Sequence, residues 1–246
     1  MSWRISMRRL LFPRVRCLSC NEPRAIDVDE PLCDRCEQEL ADLALKDGIC
    51  SHCLSPVRSG DPCRHCADGG MEHLRAAYAP FRYHGPAQRL IWQLKYGGVY
   101  YAADPLVDGM VLSLAGARFD ALVPVPMYPS EQRSRGFNQA AVLADKLAVR
   151  GAPPVLHALI KVMDTKRQST LSNHLREENV RDAFRVSPGC DVRGLHLLLV
   201  DDVRTTGSTA KSCAGELRKA GAAGVSLLTA TVAAPYGDKP SSKRSA

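Results

Sequence analysis

Nowhere in the chain is there an apolar run approaching the roughly 18 residues that a membrane-spanning helix needs. Runs such as Leu197 to Val200 are far shorter, so membrane insertion is not expected. The opening residues MSWRISMRRLLFPRVRC carry arginines but no sustained apolar segment, which argues against a secretory signal and makes the cytoplasm the expected compartment. Acid is missing from residues 1–16, which hold five arginines, and aromatics are only 6% of the chain. With few aromatics among the basic residues, a base-stacking platform is not evident. Cysteine is nearly absent after Cys66, where only Cys190 and Cys213 follow; they lack neighbours at metal spacing and read as buried thiols. No internal repeat is visible beyond the cysteine pairs.

What is present is organised unevenly. Ten cysteines would suggest disulfides in a small secreted protein, but in a reducing compartment they point to metal. Eight fall in four Cys-x-x-Cys pairs: Cys17 and Cys20, Cys33 and Cys36, Cys50 and Cys53, Cys63 and Cys66. Each such turn aims two thiolates at one ion, and two turns complete a tetrahedral four-sulfur shell of structural type. Two structural zinc ions are therefore expected. The order can be sequential or an interleaved cross-brace, and iron–sulfur ligation uses the same thiolates. Haem attachment is excluded, because Asn21, Glu37, Leu54 and Ala67 stand where a histidine would follow each pair. His52 and His65 sit inside two of the turns and read as exposed turn residues rather than ligands.

Charge divides at the same boundary. Residues 17–70 are formally −6 and residues 71–246 formally +8. The larger segment is the expected partner of a polyanion, whether a polyphosphate or a nucleic acid. The organisation predicted is residues 1–70 as a cysteine-rich module with a basic arm, 71–236 as an α/β domain, and 237–246 as a polar, disordered tail. The cysteine-rich segment could not bury enough apolar surface to fold without metal staples. Within it, Glu37 to Leu45 reads as a short helix. Further along, Arg89 to Tyr96, Phe137 to Val149 and Thr209 to Ala220 have helical spacing. Ala121 to Val125, HLLLV (196–200) and Val225 to Ala233 read as strands, with DDVRTTGS as the loop after the second. Strands alternating with helices imply a mainly parallel sheet.

The stretch LHLLLVDDVRTTGSTA (195–210) carries the most chemistry. A buried strand delivers Asp201 and Asp202 to its carboxyl end, where ligands of open parallel sheets sit. A loop with hydroxyls at Thr205, Thr206, Ser208 and Thr209 follows, and its Gly207 permits close backbone approach. It opens into a helix start, whose free N–H groups suit a phosphate. Two carboxylates beside a phosphate site make sense if the ligand also brings hydroxyl groups, or positive charge that develops during reaction; a phosphorylated ribose supplies both. The alternative is that the acids merely cap the helix. The lysine and spacing of a Walker loop are missing.

This string resembles the 5-phosphoribosyl-1-pyrophosphate (PRPP) motif of type I phosphoribosyltransferases. The resemblance implies that Asp201 and Asp202 hold the ribose while Thr205, Thr206, Gly207, Ser208 and Thr209 hold the 5-phosphate, with Mg²⁺ accompanying PRPP. LVPVPMYPSEQRSRGFNQA (122–140), QSTLSNHLREENVRDAF (168–184), QLKYGG (93–98) and the cysteine pairs are similar to ComF/GntX-type competence-associated proteins. The likeness runs from about Leu11 to Ala233. It implies a double zinc ribbon before a phosphoribosyltransferase-like domain, and a link to DNA uptake in natural transformation. Arg133, Arg135 and Asn138 stand where a pyrophosphate loop belongs. Lys166, Arg167 and Arg176 match a mobile loop, and Lys95 is a weaker candidate. Thr205 stands where 6-oxopurine transferases place an aspartate, and it cannot act as a general base at neutral pH, which disfavours that chemistry. Arg204 either extends the anion surface or faces solvent. Two readings stay open. One is transfer of phosphoribosyl from PRPP to an acceptor the sequence does not name. The other is a non-catalytic factor that binds single-stranded DNA and DNA-uptake proteins, with a regulatory or vestigial PRPP site.

Overall fold

The computed structural model describes residues 16–24, 30–45, 48–57, 61–164 and 182–233. Its centre is a parallel sheet built on two long strands, β6 (His196–Arg204) and β7 (Gly224–Val232). Short β3 (Ala121–Pro124) pairs with the free side of β6. Two-residue strands β1 (Ala77–Tyr78) and β2 (Phe81–Arg82) pair in succession with the far side of β7. Between them lies Pro80, which has no N–H for a ladder, and its carbonyl accepts instead from the N–H of Leu45. A separate antiparallel pair joins β4 (Leu159–Lys161) and β5 (Phe184–Val186).

Buried apolar runs explain the central strands. Leu197 to Val200 are fully buried, and every residue of β7 is buried. Such runs suit a sheet covered on both faces. On one face lie α3 (Gly85–Tyr96), α4 (Asp104–Ser113) and α6 (Gln139–Val149), which pack Leu90, Ile91, Leu106, Met110, Leu143 and Leu147 with Leu198, Val200 and Leu228. The opposite face is covered by α7 (Ser208–Lys219), whose Cys213, Ala214 and Leu217 meet Leu197, Leu199, Val225 and Leu227. Cys213 is fully buried, as the sequence suggests, and Cys190 is half-buried.

The cysteine-rich segment contributes to both cores. Cys17, Leu32, Cys36 and Leu40 pack into the α3–α4–α6 layer, while Cys53 and Leu54 pack into the α7 layer. In each half, the leading cysteine pair is a turn and the trailing pair borders or enters a helix: α1 (Asp34–Asp42) and the single turn α2 (Arg64–Ala67). α1 starts three residues before the expected Glu37. Asp34 and Glu37 in its first turn favour nucleation directly after Cys33, because acids complement the positive end of the helix dipole.

Strand β6 also differs from expectation. The segment read as a loop from Asp201 continues as strand through Arg204, because β7 keeps supplying partners: Asp201 opposes Thr229, Val203 opposes Thr231 and Arg204 opposes Val232. Polar side chains suggested a loop, and a long neighbour overrode them. The N-terminal arm before Arg16, the segment with Lys166, Arg167 and Arg176, and the tail 237–246 lie outside the described residues.

Because Leu198 is buried between two parallel neighbours, Leu198→Ala should cost about 2–5 kcal/mol. Denaturant unfolding followed by circular dichroism checks this; a loss under 1 kcal/mol would contradict the described core.

Candidate functional site

The four sulfurs of Cys17, Cys20, Cys33 and Cys36 lie within 4.8 Å of one another, and so do those of Cys50, Cys53, Cys63 and Cys66. The sequential grouping is the one formed, and the interleaved one is not. Metal–sulfur bonds of about 2.3 Å in a tetrahedron give sulfur–sulfur edges of about 3.8 Å. The Cys20–Cys33 and Cys50–Cys66 pairs are at 3.7 Å and Cys53–Cys63 at 3.4 Å, so the donor sets fit zinc in size and chemistry. Backbone N–H groups are already aimed at sulfur, with Cys33 N donating to Cys17 Sγ at 3.3 Å and Ser55 N to Cys53 Sγ at 3.4 Å. Burial raises the Cys17 thiol, but N–H groups of Cys20, Cys33 and Ser19 outweigh it and bring it down to about 6. Cys50 is likewise lowered to about 7, against burial, by its backbone and sulfur neighbours. The residues after the two leading turns, Asn21 and Leu54, are left-handed at φ 63° and 60°. Asn tolerates that conformation, and buried Leu54 is held in it by packing.

The acid pair sits at the carboxyl end of β6, on either side of the sheet. Asp202 is 4% exposed and forms an ion pair with Lys95 at the end of α3. Asp201 is half-buried near Cys213 of α7, and its Oδ1 accepts from the N–H of Asp202 at 2.9 Å. Burial, then the adjacent Asp202 charge, push the Asp201 carboxyl well above its ordinary value of 3.8. Lys95, the weaker candidate by sequence, is thus the cation that faces the pair. The loop beyond has Thr205 and Thr206 exposed, Ser208 and Thr209 half-buried, and Gly207 buried with φ +86° at the head of α7. Thr206 and Ser208 hydroxyls bond each other at 2.5 Å, and Gly207 carbonyl accepts the first helical bond, from Lys211.

Arg133 and Arg135 end the short helix α5 (Pro129–Arg135), which follows β3. Arg133 is exposed. Arg135 lies over the ring of Tyr96, 5.5 Å from its centre, and bonds Gln139 Oε1 at 2.6 Å. Tyr96 and Lys95 are consecutive residues at the end of α3, Tyr96 meeting Arg135 and Lys95 meeting Asp202. Asn138 caps α6 through the Ala140 N–H and donates to the Val125 carbonyl, a positioning role. An open cavity of about 230 Å³ lies past β3, lined by Pro126, Met127, Gln132, His157 and Lys161 among others. Arg204 departs from both expected roles: it is 3% exposed, inside the protein, and bonds Ser55 Oγ beside the second cysteine cluster at 3.0 Å.

One feature was missed by sequence reading. Trp92, Tyr96, Tyr100 and Tyr101 are 56%, 67%, 49% and 56% exposed, and Trp92 meets Tyr96 edge-on at 5.2 Å. Tyr100 lies against Phe137 at 4.8 Å. These exposed rings, with Arg135 over Tyr96, are aromatic surface that the sparse aromatic composition did not make evident. The i, i+4 spacing of Trp92 and Tyr96, opposite buried Leu90, Ile91 and Leu94, was the available signal.

Residues 7–67 match the double zinc ribbon domain family. The chain is 33% identical to the DNA utilization protein YhgH of Escherichia coli K12 over 197 residues, covering 73% of this chain and 82% of that protein. It is 29% identical to competence protein F of Haemophilus influenzae, covering 72% and 86%, and 26% identical to competence protein ComFC of Bacillus subtilis, covering 87% and 93%. Among solved structures, the chain is similar to glutamine PRPP amidotransferase from B. subtilis, with TM-score 0.38 and 25% identity, covering 54% of this chain and 26% of that one.

The raised Asp201 carboxyl makes a pH prediction. Stability from that group is fully present below the unfolded value near 3.8 and is lost as pH rises through the raised folded value. Asp201→Asn should therefore stabilise the ligand-free protein at neutral pH by about 1 kcal/mol and flatten the decline above the ordinary carboxylate range. Thermal unfolding across pH measures it, and a destabilised variant would contradict the repulsion described. With a double zinc ribbon, an α/β domain on a parallel sheet and these relatives, the chain belongs to the ComF/GntX-type family of competence-associated proteins.

Proposed function

We propose that the carboxyl end of β6 binds PRPP with Mg²⁺. The observation that carries this reading is a carboxylate pair and a hydroxyl-rich helix start held on one continuous strand, loop and helix. The 5-phosphate is held by N–H groups at the head of α7 and by the hydroxyls of Thr205, Thr206, Ser208 and Thr209. Ribose hydroxyls donate to Asp201 and Asp202, which replaces repulsion between acids with hydrogen bonds. Lys95 already offsets part of that charge. Arg135, with Arg133 on the same helix, faces the pyrophosphate side, where guanidinium forks suit phosphate oxygens. Mg²⁺ supplies charge neutralisation of the departing pyrophosphate.

In a transfer reaction, the bond from ribose C1 to pyrophosphate oxygen breaks and a bond from C1 to the acceptor forms. Asp201 and Asp202 fix the ribose as positive charge develops, and the acceptor's proton passes to solvent or pyrophosphate. Thr205 supplies no base for this, so a purine acceptor of the 6-oxopurine type is disfavoured.

A second reading gains support from the aromatic face. Exposed rings with Arg135 beside them suit single-stranded DNA, whose bases stack on the rings while phosphates meet the guanidinium. The names of the relatives, a DNA utilization protein and competence proteins, accord with it.

Calorimetric titration of Mg²⁺·PRPP into zinc-loaded protein should give binding that the Asp201→Asn, Asp202→Asn double variant loses at unchanged zinc content. Equal heats from both proteins would remove the acid pair from the ligand site. For the DNA reading, Trp92→Ala and Tyr96→Ala should each weaken oligonucleotide binding by about 1–3 kcal/mol. Fluorescence anisotropy over a salt series should also give an affinity that falls with added salt as counterions are released. Unchanged affinity in both variants would reject this face.

A further inference from the structure

The loop from Thr205 to Thr209 rests on the second cysteine cluster. Arg204, the residue just before it, is 3% exposed, and its Nη2 bonds Ser55 Oγ at 3.0 Å. Its Nε and Nη1 are buried with no hydrogen-bond partner among the described residues. A guanidinium cannot shed its charge at any ordinary pH, so a buried one needs a compensating anion. Burial lowers its proton affinity, and the sulfurs of Cys53, Cys63, Cys66 and Cys50 oppose that. Four thiolates around a divalent ion carry a net charge of about −2, which makes a loaded centre the counter-ion that Arg204 otherwise lacks.

The chain leaving Cys66 touches the same loop. A Cβ added to Gly207 would stand 3.2 Å from Met71 Sδ and 3.9 Å from both Arg204 Nε and the Gly70 carbonyl. In the first turn of α7, Lys211 Nζ donates to the Gly69 carbonyl at 2.9 Å and pairs with Glu72 at 3.1 Å. The entry and the exit of the loop are thus bonded to residues that flank the second cluster in the chain, and Met71 lies against its middle at Gly207. The first cluster lies on the other face of the sheet and makes its own contacts with α3, where Arg89 bonds Ser19 and pairs with Glu39.

We infer that Arg204 is a positioning residue that couples the second four-cysteine centre to the 205–209 loop. Metal in Cys50, Cys53, Cys63 and Cys66 and an anion on the loop then stabilise each other. The inference rests on the PRPP reading only for the identity of the anion. Linkage requires reciprocity: a metal that orders the loop must in turn be held more tightly when the anion is bound. A ribbon that merely braces the fold predicts no such exchange.

The test follows zinc transfer from the full chain to a chromogenic chelator, with and without saturating Mg²⁺·PRPP. Two release phases are expected, and PRPP should slow one of them by roughly fivefold or more. Arg204→Met should accelerate that same phase about tenfold in ligand-free protein, while Arg204→Lys falls between. Amide hydrogen exchange at residues 205–211 should speed up in Arg204→Met. PRPP that binds by calorimetry yet leaves both phases unchanged would overturn the coupling, as would an Arg204→Met protein with wild-type release and exchange. If PRPP fails to bind the wild type, the PRPP reading falls. The coupling is then decided by release and exchange in the ligand-free variants, and stands only if both accelerate. A variant that does not fold leaves the decision to the wild-type release experiment and to Arg204→Lys.

Discussion

A strand whose parallel neighbour runs on beside it cannot turn its end freely out into solvent, and β6 carries Asp201, Asp202 and Arg204 past the end of β3, paired there with β7 alone. Its ladder with β7 runs to Arg204 and holds those three charged residues where a loop would have let them relax. Everything distinctive about the molecule answers that placement. Lys95 comes from the end of α3 to meet Asp202, and the second cysteine cluster lies beside Arg204. The Thr231 hydroxyl bonds the Asp202 carbonyl from the neighbouring strand. Asp201, which has no ion pair among the described residues, is the group whose carboxyl is driven upward, by burial and by the adjacent Asp202 charge.

The arrangement explains why cysteine-rich ribbons and an α/β domain occur in one chain. Each ribbon adds buried side chains to one face of the sheet, and neither is a bead on a tether. The first packs into the helical layer around α3, the helix that carries Lys95, Trp92 and Tyr96. The second underlies the loop that begins at Thr205. Under the proposed reading, metal sites that are structural by their closed four-sulfur shells would shape the ligand site without touching the ligand.

Much of this was legible in the sequence because the signals were local. Four Cys-x-x-Cys turns specify two tetrahedral shells, and the apolar run before Asp201 specifies a buried strand with its acids at the carboxyl end. Periodicity located α6 and α7 to within two residues. What escaped were features set by neighbours far along the chain. Asp201 to Arg204 look like loop residues until β7 is seen to extend beside them. Arg204 reads as a surface arginine because its partners, Ser55 and the cluster around it, lie some 140 to 150 positions earlier. The aromatic face is divided among α3, the turn at Tyr100 and Tyr101, and Phe137, so composition alone gave no hint of it. Lys95 stands more than a hundred residues from the carboxylate it meets.

The most direct measurement is a crystal structure of the zinc-loaded protein with Mg²⁺·PRPP. The account predicts the 5-phosphate on the backbone N–H groups of residues 205–209, with the ribose hydroxyls on Asp201 and Asp202. Arg204 should remain buried beside the second metal centre. Ligand bound elsewhere, with the β6 end untouched, would contradict the assignment of this site.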